Sequence, residues 1–212
     1  MLIALCSAKG APGVTTSGLA LALSWPRRVV LAELDPAGGD VLAGYGRAQL
    51  PAVGLAELEL AARRGGLAGQ LDAHLLLLDS SGHARLLPGL ADPASARHVG
   101  WQRLAAELAS VDGGTVDVVA DCGRLRAEHF PAAVVGRAAA VVVVTGSTLR
   151  AVRATAAAVA ELQFVYAATA RAREVAKPVA GPREAAARLR AAARSGVATG
   201  ILFGRERTGL TN

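Results

Sequence analysis

Three short stretches carry residues suited to phosphate chemistry. The first is Ser7-Ala8-Lys9-Gly10-Ala11-Pro12-Gly13-Val14-Thr15-Thr16, set between an apolar run at 2–6 and a helical pattern at 15–25. A strand, a glycine-bearing loop with hydroxyls and a helix start together aim backbone N–H groups and a helix N-terminus at one anion. The second is Glu33-Leu34-Asp35, which follows the apolar run 29–32. Two residues apart on a strand, these carboxylates project to one side of a sheet. They lie at the strand's C-terminal end, where open α/β sheets place their ligands. Paired acids there suit a magnesium ion and activation of water. The third is Asp121, at the end of Val116-Asp117-Val118-Val119-Ala120. A carboxylate in that position orients magnesium, usually through water.

The first stretch departs from the usual phosphate loop, which is Gly, four residues, then Gly-Lys-Ser/Thr. Counted back from Gly13-Val14-Thr15, the first glycine position holds Ala8 and the lysine position holds Val14. Val14 removes a charge that neutralises the β- and γ-phosphates, and phosphoryl transfer needs that charge most in its transition state. Hydrolysis should therefore suffer more than binding. The backbone cradle remains, and Lys9 keeps one positive charge nearby. Each acid also has a plainer reading. Glu33 and Asp35 suit a polar strand end before the turn Pro36-Ala37-Gly38-Gly39, and many α/β strands end in Asp.

The elements that must position these groups are short apolar runs alternating with helical patterns, the signature of a parallel sheet wrapped by helices. Strands are expected at 2–6, 29–32, 116–121 and 138–144. The runs 75–78 and 84–87, around Asp79-Ser80-Ser81-Gly82, form either a hairpin or one strand and a turn. Helices are expected at 15–25, ended by Pro26, at 55–64, at 93–110, and at 149–163 with Thr148 as N-cap. Residues 41–52 and the Asp112-Gly113-Gly114 turn are expected to lack regular structure. Beyond 163 the pattern weakens. Phe164-Val165-Tyr166 has the composition of a strand start, 184–194 of a basic helix, 197–203 of a short strand and 204–212 of a frayed tail. The division that follows is an α/β domain over 1–165 and a basic Ala/Arg-rich segment over 166–212, which either completes the domain or forms a tail.

Composition narrows the class. The 212 residues are 52% hydrophobic but only 3% aromatic, so the core is built from Leu, Val and Ala. No run of about 18 apolar residues occurs, and the N-terminus lacks a secretory pattern. Cys6 and Cys122 fall in expected buried strands, as reduced thiols of a cytoplasmic protein do. The four histidines show no zinc-ligand spacing. Net charge is +6, and all of the excess is C-terminal: residues 1–149 hold 12 Lys/Arg and 13 Asp/Glu, residues 150–212 hold 11 and 4. Such a segment suits DNA or an acidic membrane surface, or is simply a solvated Arg-rich helix.

Taken in order, the three stretches resemble those of the ParA/MinD superfamily of deviant Walker P-loop ATPases, over about residues 1–163. The likeness is to actinobacterial ParA-like proteins and the divergent CpaE/TadZ type tied to pilus assembly. The family loop is Lys-Gly-Gly-x-Gly-Lys-Thr-Thr. Here Lys9, Gly10, Gly13, Thr15 and Thr16 match, while Ala11 replaces a glycine and Val14 the second lysine. The family's Asp-x-Asp-Pro corresponds to Glu33-Leu34-Asp35-Pro36, and its Asp-Cys/Thr-Pro to Asp121-Cys122-Gly123. The dinucleotide pattern G-x-G-x-x-G is absent, which demotes a nicotinamide enzyme.

The resemblance implies a mostly parallel α/β sheet with helices on both faces, ATP and Mg2+ as cofactors, and an ATP-dependent homodimer. It assigns Thr15, Glu33 and Asp121 to the magnesium shell, Thr16 to the α-phosphate and Asp35 to the attacking water. Lys9 would reach phosphates, often those of a facing subunit. The implied function is a nucleotide-responsive positioning or scaffold protein with weakened ATPase chemistry, working with a protein partner in chromosome or plasmid partitioning or in pilus or secretion assembly. Two other expectations stand beside it: an interaction module that keeps the fold without nucleotide, and a DNA-associated protein acting through its C-terminal Arg helix.

Overall fold

The structure is a computed structural model that describes residues 1–9, 13–45, 53–65, 69–111, 115–146, 148–165, 173–175, 182–194 and 198–200. Its elements begin with β1 (Leu2–Ser7), α1 (Val14–Leu23), β2 (Val29–Glu33), α2 (Val41–Gly44), α3 (Leu55–Gly65), β3 (Leu76–Leu77) and β4 (Ala84–Leu87). There follow α4 (Trp101–Ser110), β5 (Asp117–Arg124), α5 (Ala132–Arg137), β6 (Ala140–Val144), α6 (Leu149–Val165), β7 (Arg173–Val175), α7 (Pro182–Arg194) and β8 (Ala198–Gly200). The main sheet has the order β3-β4-β2-β5-β1-β6. It is parallel except for the two-residue edge strand β3, which runs antiparallel to β4. β7 and β8 pair separately.

The continuous apolar runs are explained by burial on both faces. Every residue of β1 and β2 is buried. Alternation sends Leu2, Ala4, Cys6, Val30, Ala32, Val118, Ala120 and Cys122 to one face, where Leu58, Leu104, Leu108 and Val134 of α3, α4 and α5 cover them. Ile3, Leu5, Val29, Leu31 and Val119 go to the other, against Leu21 of α1, Trp25, and Ala185, Ala186 and Leu189 of α7. The basic helix is therefore docked. Each fully buried leucine such as Leu189 contributes about 1.5–3 kcal/mol, and the Arg190 guanidinium sits 3.0 Å from buried Asp117. Burial pushes the Cys6 thiol up to about 12, and Cys122 lies well above its usual range for the same reason, so neither is a nucleophile.

Several local expectations change. The helix expected over 93–110 is two pieces, a 3-10 segment Pro93–His98 and α4. Asp92 caps the first piece through the Ala94 N–H at 3.0 Å, and Val99 is extended before Gly100. The runs at 75–78 and 84–87 form the hairpin, with Asp79 accepting the N–H groups of His83 and Ala84 at 3.0 and 3.2 Å across the turn. Val41–Gly44 is a helical turn where a loop is expected, while 46–52 lie outside the described residues. α6 continues through Phe164 and Val165, so no strand starts there. The turn at 112–114, the segment 176–181 and the tail at 204–212 also lie outside.

Candidate functional site

The carboxyl ends of β1, β2 and β5 meet the head of α1. Gly13 precedes the helix at φ 111°, a conformation that L side chains rarely adopt. One residue into the helix, the Thr15 hydroxyl donates to Asp121 Oδ2 at 2.6 Å, tying the phosphate-loop helix to the end of β5. Asp121 is 2% exposed, and its other oxygen accepts the Gly123 N–H at 3.0 Å. Among the described residues no cation pairs with it. Burial raises its pKa to about 6, with the charges of Asp35 and Glu33 adding to the rise and the bonds from Thr15 and Gly123 opposing it.

Asp35 packs over Gly123, next to the last residue of β5. Gly123 has φ +66°, and a Cβ there would overlap the Asp35 carboxylate, so glycine is required for two reasons. Asp35 also accepts the Ala37 N–H at 2.8 Å, an Asx turn that starts the loop. Glu33 is engaged differently. Its Oε1 accepts the N–H groups of Asp40 and Val41 at 2.7 and 2.8 Å, and its Oε2 that of Gly89 at 3.2 Å. Burial still holds its pKa above the usual carboxylate range despite these three bonds. Gly39 and Gly89 lie backbone to backbone beside it, and the Gly39 N–H donates to Leu90 O at 3.1 Å. Glu33 thus straps the 36–41 loop to the end of β4.

A cavity of about 540 Å³ opens in front of this arrangement. Gly13, Val14, Thr15, Thr16 and Leu19 form its helix wall; Ser7, Asp35, Gly123 and Arg124 its strand-end wall; Asp40, Val41, Gly44 and Tyr45 the rest. Asp121 stands behind Thr15 and Glu33 behind the loop; neither lines the cavity. Val14 is buried in the α1-side core with one edge on the cavity. Lys9 is exposed and lines a different cavity, of about 580 Å³, with Arg126, Arg150 and Arg153. Gly10 and Ala11 lie outside the described residues.

Among the described residues no three acidic, histidine or cysteine side chains are grouped to hold a metal by themselves. The donor set nevertheless fits magnesium completed by phosphate and water: a hydroxyl on a buried carboxylate, more acids nearby, and no cation on them. Sequence reasoning missed Asp40, Tyr45 and Arg124. The one available signal for Arg124 was its place three residues after Asp121, since β5 runs on past the acid where the strand was expected to stop.

No family model matches the chain, and no curated protein matches it by sequence. Solved structures do match by fold. A ParA family ATPase from Chlorobium tepidum superposes with a TM-score of 0.64 at 17% identity, over 100% of this chain and 75% of that one. The septum site-determining protein MinD from Pyrococcus horikoshii, complexed with Mg-ADP, gives 0.63 at 16% identity, over 99% and 72%. The fold is that of the ParA and MinD ATPases. A cobyrinic acid a,c-diamide synthase from Mycobacterium smegmatis, with bound ADP and magnesium, gives 0.57 at 22% identity, over 96% and 73%. At these identities the likeness is one of fold, so a ParA/MinD-type framework carries the cavity and the loop that borders it. No helix among the described residues is long and apolar enough to cross a membrane.

Proposed function

We propose that the protein is a ParA/MinD superfamily member that binds Mg-ATP in the 540 Å³ cavity and uses it as a signal in positioning or scaffolding, with hydrolysis weakened at Val14. The observation that carries this is the Thr15–Asp121 hydrogen bond at the head of α1. A hydroxyl held on an unpaired buried carboxylate serves no packing need, and it is what a hydrated cation beside a phosphate requires. Thr15 and Asp121 would hold the magnesium, which neutralises phosphate charge when bound. Backbone N–H groups at the head of α1 bind phosphate oxygens. Thr16 contributes a donor toward the α-phosphate. Asp35 orients water at the cavity wall, and Glu33 supports the acid set by fixing the 36–41 loop.

Lys9 lines a cavity other than the one proposed for nucleotide, which suits a residue aimed at a facing subunit's phosphates. We assign the protein to the cytoplasm as an ATP-dependent homodimer with a protein partner from a partition or pilus system. DNA or an acidic membrane surface would meet the exposed arginines of α7, Arg183 and Arg194. Since α7 is docked, that contact is tested by reversing those charges rather than by deleting the helix.

Thermal melting with ATP tests the nucleotide reading. Millimolar ATP with magnesium should raise the melting temperature, and ATP with a chelator should do so less. No shift in either condition, with Thr15→Ala indistinguishable from the parent, removes it and leaves the nucleotide-free interaction module. Val14→Lys should raise Mg-ATP affinity about tenfold, the value of one charge-assisted contact.

A further inference from the structure

Among the described residues, Arg124 is the one cation that lines the cavity. It ends β5, three residues beyond Asp121, directly after Gly123, against which Asp35 rests. In register it stands opposite Ser7, the last residue of β1, and the Leu125 N–H donates to Ser7 O at 2.9 Å, so its backbone is fixed where the phosphate loop departs. Its side chain is exposed, and among the described residues the guanidinium has no ion-pair partner, although Asp35 and Asp40 line the same cavity. Val14, where a phosphate loop would carry its lysine, lines the same cavity.

Resting on the nucleotide reading above, we infer that Arg124 supplies from β5 the positive charge that Val14 has removed from α1, and that its ligand is the β- or γ-phosphate of a nucleoside triphosphate. A guanidinium suits this task because it is always charged and offers paired donors to phosphate oxygens. The strand-end placement also explains how the loop can do without its second lysine while Thr15, Asp35 and Asp121 are kept. The cation has moved from the head of α1 to the end of β5, so phosphate is held by a helix head and a strand end together.

The test is Mg-ATP and AMP binding by titration calorimetry on the full chain, for the parent, Arg124→Ala, Arg124→Lys and Val14→Lys/Arg124→Ala. Arg124→Ala should weaken Mg-ATP about tenfold and leave AMP within twofold, because AMP has no distal phosphate. Arg124→Lys should keep most of the affinity, and the double variant should recover it. The melting temperature without nucleotide should not move in Arg124→Ala, since the side chain is exposed. If the parent binds no Mg-ATP, the nucleotide reading falls and this inference with it. If the parent binds and Arg124→Ala binds equally well, only this inference falls. Equal loss of ATP and AMP also overturns it, as does a double variant that folds without regaining affinity. Should Val14→Lys prevent folding, Arg124→Lys decides: affinity as poor as that of Arg124→Ala counts against the charge.

Discussion

Strand β5 carries two buried aspartates on the same face, four residues apart, and their surroundings differ. Asp117, at the entry of the strand, accepts the Trp25 indole N–H at 2.9 Å and faces Arg190 at 3.0 Å and Arg27 at 4.0 Å. Asp121, at the exit, has one hydroxyl, one backbone N–H and two neighbouring acids, with no cation among the described residues. The strand, the face and the residue type are the same. The first carboxylate is neutralised by its own chain and holds α7 to the sheet. The second is left to be neutralised from outside. Burial alone therefore does not mark a functional acid; burial without a counter-charge does.

Three substitutions can break this contrast. The largest effect is expected from Asp117→Asn, which leaves the nearly buried Arg190 unpaired and should cost about 3–5 kcal/mol in urea unfolding. Gly123→Ala should follow at roughly 2 kcal/mol, from positive φ and overlap with Asp35, and should lower Mg-ATP affinity by moving that carboxylate. Opposite in sign is Asp121→Asn. The folded-state pKa of about 6 lies above the ordinary aspartate value of about 4. The folded parent therefore holds this proton more tightly than the unfolded chain. Asp121 contributes stability fully below about pH 4, and that contribution is lost as pH rises through about 6. Relative to the parent, Asp121→Asn should thus gain up to about 3 kcal/mol between pH 4 and 7 without magnesium, and lose the magnesium-dependent part of any ATP stabilisation. If the two Asn variants shift stability in the same direction at pH 7, the contrast between the aspartates is wrong.

The parts of this molecule legible in sequence are those dictated by burial. Val29-Val30-Leu31-Ala32 and Val116 to Ala120 could be placed as strands because both faces of the sheet are covered, which leaves no polar alternation to confuse the period. The order of loop, acid pair and strand-end acid likewise pointed to the carboxyl edge. Distances between strands were not legible. Nothing in the spacing of Glu33 from Gly89 shows that one strap joins them, because β4 reaches β2 only through pairing in the sheet. Arg124 was missed for a related reason: its meaning depends on Val14, 110 residues away in the sequence and on the same cavity. Gly100 was read as one residue of a longer helix because a single glycine is tolerated inside helical patterns; the extended Val99 before it decided otherwise.

The position of β5 also bears on how the chain comes off the ribosome. β1 pairs only with β5 and β6, and β2 reaches β1 only through β5. At about 5–20 residues per second, the apolar segment Leu2–Ser7 waits on the order of ten seconds for its first partner strand. Until then the nascent chain can assemble only β2, β4 and β3, while the future centre of the sheet remains an unpaired sticky end. Chains interrupted before residue 117 should therefore be ready clients for a holdase chaperone, and chains interrupted shortly after β6 much less so.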